Sequence, residues 1–257
     1  MSVIHAPLRD DAGFPPHTSV SQNAPMTAGR VIDLSVVIPA FNAAARLHET
    51  LGALEEACET MAVEIIVVDG GSDDDTVARA AALGAKVIVA PRGRGSQLSA
   101  GAKEARGRWL LFLHADTTLE PFWSTTVTSF MRSKSMALKA AHFTFALDDA
   151  SNAARRVELM ANWRARRLGL PYGDQGLLMS RKHYHALVGY LDIPIMEDVD
   201  MARRIGRQNL VELPATATTS ADRYQRDGYW LRPLRNLALL ALYFLGVSPQ
   251  RLAKLYG

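Results

Sequence analysis

Cysteine is almost missing from this chain: Cys58 is the only one in 257 residues. An intrachain disulfide is therefore excluded, and stability has to come from packing. Cys58 shares helical spacing with Leu47, Leu51, Leu54 and Met61, which predicts a small buried apolar residue. Charge of one sign is also lacking. A net charge of +3 and a pI near 9.1 suit an anionic ligand but are too weak to argue for nucleic acid. No apolar stretch follows a basic start at the N-terminus, so no secretory signal is visible. The longest apolar run, Leu237 to Val247, is broken only by Gly246 and is far short of the ~20 residues that span a bilayer. The seven histidines form no zinc-type cluster. No internal repeat, Ser/His/Asp triad or nucleophilic cysteine stands out. The expectation is a cytoplasmic protein.

What is present has a clear order. Residues 1–32 carry Pro7, Pro15, Pro16 and Pro25 among polar residues, without apolar periodicity, and read as a flexible leader. From residue 33 onward, short apolar runs alternate with helical patterns. Runs at 34–38, 64–68, 86–89 and 109–113 read as buried strands, and 44–61, 73–83 and a stretch opening near Gln97 read as helices. Such alternation predicts an α/β fold whose mostly parallel sheet is covered on both faces. After residue 120 the pattern loosens. Helices are expected at 122–132, 152–168, 197–205 and 232–245, with a strand near 141–147 and short elements at 177–179 and 180–188. Ser248-Pro249 starts a last short helix. One domain over 33–257 follows, with a nucleotide-type half (33–120), a mixed half expected to bind the second substrate (121–230) and C-terminal helices (231–257).

Ligands of open α/β sheets sit at the carboxyl ends of the strands. Those ends read Pro39-Ala40-Phe41-Asn42, Asp69-Gly70-Gly71-Ser72-Asp73-Asp74, Pro91-Arg92-Gly93-Arg94-Gly95 and His114-Ala115-Asp116. An aromatic face, carboxylates, glycines and guanidinium groups on one rim are what a nucleotide diphosphate requires. Arg94 stands at a helix N-terminus, a natural phosphate site, although the loop could be a solvated turn. Asp69 ends a buried strand, where a ligand contact competes with simple turn closure. Asp116 is placed to hold a divalent cation, Mn²⁺ or Mg²⁺, against a diphosphate, or else to cap the next helix. Asp198 opens a helix beside Glu197 and reads as a site carboxylate, whereas Asp200 is spaced to pair with Arg204.

These segments, in this order, resemble the inverting GT-A glycosyltransferases of family 2, from about Leu34 to at least Asp200. The resemblance implies a GT-A fold and a sugar moved from a nucleotide-diphosphate donor, most simply of UDP type, to a hydroxyl acceptor. It implies that Pro39, Phe41 and Asp69 hold the nucleoside, that Asp116 holds the metal on the diphosphate, and that Asp198 is the base. Asn42, Arg94 and Gln97 are read as further donor contacts and Glu197 as a second catalytic candidate beside Asp198. Two positions depart from the family's habit: Ala43 stands where Glu is frequent, and His114 replaces the first carboxylate of the metal motif. His114 thereby becomes a second candidate metal ligand. Pro171-Tyr172-Gly173-Asp174-Gln175-Gly176, with the 91–95 and 111–116 segments, is similar to a bacterial branch labelled arsenosugar-biosynthesis glycosyltransferases. By that likeness Gly173, Asp174 and Gln175 form an acceptor loop, a plain turn being the alternative. A sugar nucleotidyltransferase, which wants a basic glycine-rich loop after the first strand, and a non-catalytic nucleotide-sugar-binding module are the rivals. The 232–245 helix has a wide apolar face. It either packs on the domain or a second subunit, or lies on the inner face of the membrane to reach a lipid-linked rather than a small-molecule acceptor.

Overall fold

The computed structural model describes residues 31–256, so nearly all of the expected leader lies outside the described residues. The chain runs β1 (Leu34–Ala40), α1 (Ala44–Gly52), α2 (Glu55–Thr60), β2 (Val63–Asp69), α3 (Thr76–Ala82), β3 (Lys86–Val89), α4 (Arg94–Glu104), β4 (Trp109–Phe112) and β5 (Thr117–Leu119). It continues through α5 (Trp123–Arg132), β6 (Ala140–Leu147), α6 (Asn152–Leu168), β7 (Leu177–Ser180), α7 (Arg181–Ala186) and α8 (Glu197–Ile205). Last come β8 (Leu210–Thr219), α9 (Asp222–Asp227), α10 (Leu231–Phe244) and α11 (Pro249–Tyr256).

All the strands join one sheet in the order β3-β2-β1-β4-β7-β6-β8-β5. The β3-β2-β1-β4 portion is parallel, and β7 runs antiparallel to both β4 and β6. Alternate residues of β1 face opposite ways, as the pleat requires. Leu34, Val36 and Ile38 meet Leu47 of α1, Leu54 of the turn before α2, and Trp123 and Val127 of α5 on one side. Val37 meets Leu98 of α4, Tyr184 of α7 and Met201 of α8 on the other. Each such fully buried side chain contributes about 1.5–3 kcal/mol. The sheet is thus covered on both faces, as expected, and it is mixed, with antiparallel pairs at β4–β7, β6–β7 and β5–β8.

Two expectations fail locally for one reason. The helix expected over 44–61 is broken after Gly52, a poor helix former. Trp123 Nε1 donates to the freed Ala53 carbonyl at 2.8 Å. The helical spacing that would have buried Cys58 is reset by the break, so Ala57 turns inward and Cys58 is exposed. Glu56 also gains a task, accepting from the Phe122 and Ser124 amides at 2.8 and 2.9 Å where α5 begins.

The mixed topology matters because it brings distant loops to one rim. Phe112 pairs with Leu177 in antiparallel register, so the chain leaving β4 and the chain entering β7 lie side by side. Strand β8 runs parallel to β6 and ends at the same rim, where Thr117 and Thr219 hydroxyls meet at 2.9 Å. The Ser220 amide donates to the Asp116 carbonyl at 3.1 Å.

Candidate active site

Two clefts open along this rim. One, of about 710 Å³, lies over the ends of β1, β3 and β4 and is lined by Pro39, Phe41, Asn42, Gln97, Arg92, Arg94 and, from later in the chain, Arg223, Arg226 and Arg235. The other, of about 910 Å³, runs between α6 and α10 and reaches Tyr172, Gly173, Asp174 and Asp198. They share Arg94, His114, Asp116, Ser220, Arg223 and Arg232. The clefts meet at His114–Asp116, but they do not divide at residue 120: the first also takes Pro194, Ser220, Asp222, Arg223, Arg226 and Asp227 from the later half of the chain.

In the first cleft, the Arg92 guanidinium lies over the Phe41 ring, 3.8 Å from its centroid, a cation–π contact. Asn42 adopts φ +48°, tolerable for Asn. Its Oδ1 accepts from the Asp73 amide and its amide donates to Ser72 Oγ, both at 2.9 Å. Asp69 is buried, and its carboxylate accepts from the Gly71 and Ser72 amides at 2.9 and 3.0 Å and from Ser72 Oγ at 2.5 Å. Its oxygens are therefore engaged in closing its own turn, and it does not line this cleft. Capping falls to Asp74, which accepts from Thr76 and from Ala44 at the head of α1. Gln97 Nε2 donates to the Ala40 carbonyl at 2.8 Å and to the Val68 carbonyl at 2.7 Å. It forms the floor of the cleft by tying strand ends together, with its donor nitrogen already engaged. Gly95 is required for a different reason: a Cβ there would stand 2.3 Å from the Leu191 carbonyl oxygen.

At the junction, the Asp116 carboxylate lies 3.3 Å from Arg223 Nη2. His114 is held neutral, its pKa pushed down to about 3 by burial and by Arg94, against a smaller opposing pull from Asp116. Its Nε2 has no hydrogen-bond partner and is sealed against Gly173, where a Cβ would come within 2.5 Å. Among the described residues, no three His, Cys, Asp or Glu side chains converge as a ready-made metal site. A divalent ion at Asp116 would have to complete its shell from diphosphate and water oxygens, and the neutral His114 could join only if the Gly173 loop withdrew.

In the second cleft, Asp198 Oδ2 accepts from the Gly173 amide at 3.0 Å and Oδ1 from Val199 at 2.7 Å. The residue before α8's acidic first turn, Met196, is held at φ +68°. Such a backbone costs a non-glycine residue about 1–2 kcal/mol and fixes where Asp198 points. Asp174 carries an Oδ1 with no partner, and burial pushes its pKa up to about 6. Arg164 lies over the Tyr172 ring, 3.3 Å from its centroid.

Besides Asp69, two residues expected to touch ligands do not reach either cleft. Glu197 is 2% exposed, sits 3.6 Å from Arg94 Nη1, and has its pKa raised to about 7 by burial and by Asp198. It backs Arg94 instead of facing an acceptor. Gln175 is 0% exposed. Its side-chain oxygen accepts from the Tyr172 amide at 3.3 Å and its nitrogen donates to the Phe143 carbonyl at 3.3 Å, so it shapes the acceptor loop from inside. Asp200 behaves as read, pairing with Arg204 at 2.5 Å. Arg164, Arg223 and Arg232 were missed, being basic residues on helices with no motif around them.

Comparison with known proteins agrees with this geometry. The family model described as "Glycosyl transferase family 2" matches residues 35–173, more than half of the chain. The succinoglycan biosynthesis protein ExoO of Rhizobium meliloti strain 1021 is 36% identical over 104 residues, covering 38% of this chain and 29% of that protein. The dolichyl-phosphate beta-glucosyltransferase of Drosophila melanogaster is 34% identical over 118 residues, covering 39% of this chain and 36% of that protein. The chain thus spans well under two thirds of these curated relatives. Among solved structures, glucosyl-3-phosphoglycerate synthase from Mycobacterium tuberculosis, in complex with Mn²⁺ and UDP-glucose, superposes with a TM-score of 0.51 at 19% identity, covering 74% of this chain and 70% of that one. The same enzyme with Mg²⁺ and UDP gives 0.52 at 21% identity, with the same coverages. These likenesses establish the fold as GT-A.

Proposed function

Because the chain belongs to glycosyl transferase family 2, we propose that it transfers a sugar from a UDP-type donor to a hydroxyl acceptor with inversion at the anomeric carbon. The observation that carries this reading is the seam where the two clefts share His114 and Asp116, with Asp198 on the acceptor side only. The donor nucleoside lies along Pro39, Phe41 and Asn42, and its diphosphate reaches Arg94 and Arg223. Asp116 would hold the Mn²⁺ or Mg²⁺ ion, which supplies neutralisation of the departing diphosphate. Metal and UDP bound in the mycobacterial relative support that part.

The chain's own residues then act in sequence. The acceptor hydroxyl sits against Asp198 and Asp174. Asp198 takes its proton as the oxygen bonds to the anomeric carbon and the bond from that carbon to the diphosphate oxygen breaks. Arg94, backed by Glu197, faces the negative charge that develops on the leaving group. The Gly173 loop closes over His114 and keeps water from competing.

A thermal-shift panel of UDP, GDP, CDP and ADP, each with Mn²⁺ and with Mg²⁺, tests the donor assignment. UDP with a metal should give the largest shift. A response to none of the four would sink it. Radiolabelled UDP-sugar turnover then separates a transferase from a binding module.

A further inference from the structure

The larger cleft has more apolar wall than a small polar acceptor needs. Besides Asp174 and Asp198 it is lined by Val157, Met160 and Trp163 of α6 and by Leu237 and Leu240 of α10. It opens onto a surface unusually rich in exposed apolar side chains. Along α6, Met160 and Trp163 (57% exposed) are flanked by Arg156 and Arg167, all at i, i+3 or i+4 spacing on one face. Helix α10 packs Leu239 and Leu240 inward against Met196 and Val199. Its other side leaves Leu231, Leu234 (59% exposed), Leu237 and Phe244 in the open. Arg156 lies over the ring of Trp230, likewise exposed, so the two helices present their apolar residues around one mouth.

The charge on this face is mainly positive, although Arg155 pairs with Glu158, Arg166 with Glu212, and Arg232 and Arg235 with Asp227. Helix α6 carries Arg155, Arg156, Arg164, Arg166 and Arg167 against Glu158 alone. From Gly228 to the C-terminus there is no acidic residue, while Arg232, Arg235, Arg251 and Lys254 are present. Apolar and aromatic side chains ringed by arginines match an anionic lipid surface, where rings enter the headgroup layer and each cation adds about 1 kcal/mol. No helix among the described residues is long and apolar enough to cross a membrane.

We propose that the α6–α10 face sits on an anionic lipid surface, and that the cleft between the helices takes the apolar chain of a lipid-borne acceptor whose hydroxyl reaches Asp198. This rests on the transferase reading for the role of Asp198, but the lipid contact has its own readout. The probes are vesicles of phosphatidylcholine alone and of phosphatidylcholine with about one third phosphatidylglycerol, assayed by cosedimentation, and the same mixture with brominated acyl chains, assayed by tryptophan quenching. Wild type should bind the anionic vesicles and be quenched by the brominated ones. Leu234→Glu combined with Ala241→Glu lies on the exposed face outside the cleft and should weaken vesicle binding about tenfold or more, with the thermal shift by UDP and Mn²⁺ unchanged. Trp163→Phe should lose a large share of the quenching. Wild type that ignores both vesicle types while still binding UDP overturns the proposal, as does binding indifferent to the double substitution. A dimer in sedimentation velocity that the double substitution dissociates, without vesicle binding, would make the face an interface between copies and overturn it equally. Vesicle binding and quenching without a UDP shift would support the lipid face and remove the donor reading instead.

Discussion

The nucleotide-side cleft is walled by Arg92, Arg94, Arg226 and Arg235 around short, tightly hydrogen-bonded turns, whereas the other is walled by Val157, Met160, Trp163 and Leu240 with two carboxylates at its inner end. One wall of the first is made from loops that follow parallel strands, so its shape comes with the sheet, and the facing wall comes from α9 and the start of α10. The second is made from two helices and from a loop that enters an antiparallel strand, so its shape depends on side-chain packing. On the proposed reading, charge would position a diphosphate on one side, and apolar area with a base would position an acceptor on the other. A division of labour so plain invites attempts to break one side without the other.

The largest effect should come from Asp198→Asn. Transfer should fall about a thousandfold, as expected for loss of a general base, while UDP affinity by calorimetry stays within a few fold. Near-normal turnover would remove the base assignment and leave the second cleft without its chemistry. Next is Asp116→Ala at the seam. Mn²⁺-dependent UDP binding should weaken by about tenfold to a hundredfold, and metal-free binding should barely change. Unchanged metal dependence would reduce Asp116 to a partner of Arg223.

A smaller effect is expected from His114→Asp. If the Gly173 loop withdraws so that the neutral imidazole reaches the ion, initial rates against metal concentration should show a wild-type preference for Mn²⁺ that shrinks by about tenfold in the variant. A wild-type preference for Mg²⁺ would count against any ligating role. The smallest effect concerns Glu197. Its folded pKa of about 7 lies above the ordinary 4.5, so its contribution to stability is full below the ordinary value and is lost as pH rises through 7. Metal-free Glu197→Gln should therefore gain on wild type between about pH 5 and pH 8, by on the order of 1–2 kcal/mol at the top of that range. A melting-temperature difference that is flat with pH would show that the carboxyl does not titrate there.

The donor half was legible because its strands are short all-apolar runs ended by Pro39, Asp69 and Asp116, and β3, α6 and α8 fall where periodicity put them. Strand β8 was not. It holds Pro214 and a run of Ala and Thr, and its alternation of buried Leu213, Ala215, Ala217 and Thr219 is carried by small residues. Pro214 is tolerated because it falls within the register shift between His142 and Thr144, where a ladder donor is not needed. With β8 unseen, Thr219, Ser220 and Arg223 could not be placed at the site. Glu197 and Gln175 were misread for a related reason. Sequence gives their neighbours along the chain, but only the fold shows that Arg94 and Phe143 stand between them and the solvent side.

Gln97 bears on how the molecule flexes. By holding the Ala40 and Val68 carbonyls with one nitrogen, it welds the tips of β1 and β2 to α4, and no hinge is left on that wall. Opening and closing of the nucleotide-side cleft must then fall to the facing wall, where Asp222 and Arg223 are moored to Arg46 and Asp116 by side-chain ion pairs. Donor-free and donor-loaded forms are therefore best superposed on β1, β2 and α4. Backbone amides in the 222–235 stretch are the ones whose hydrogen exchange should slow when UDP enters.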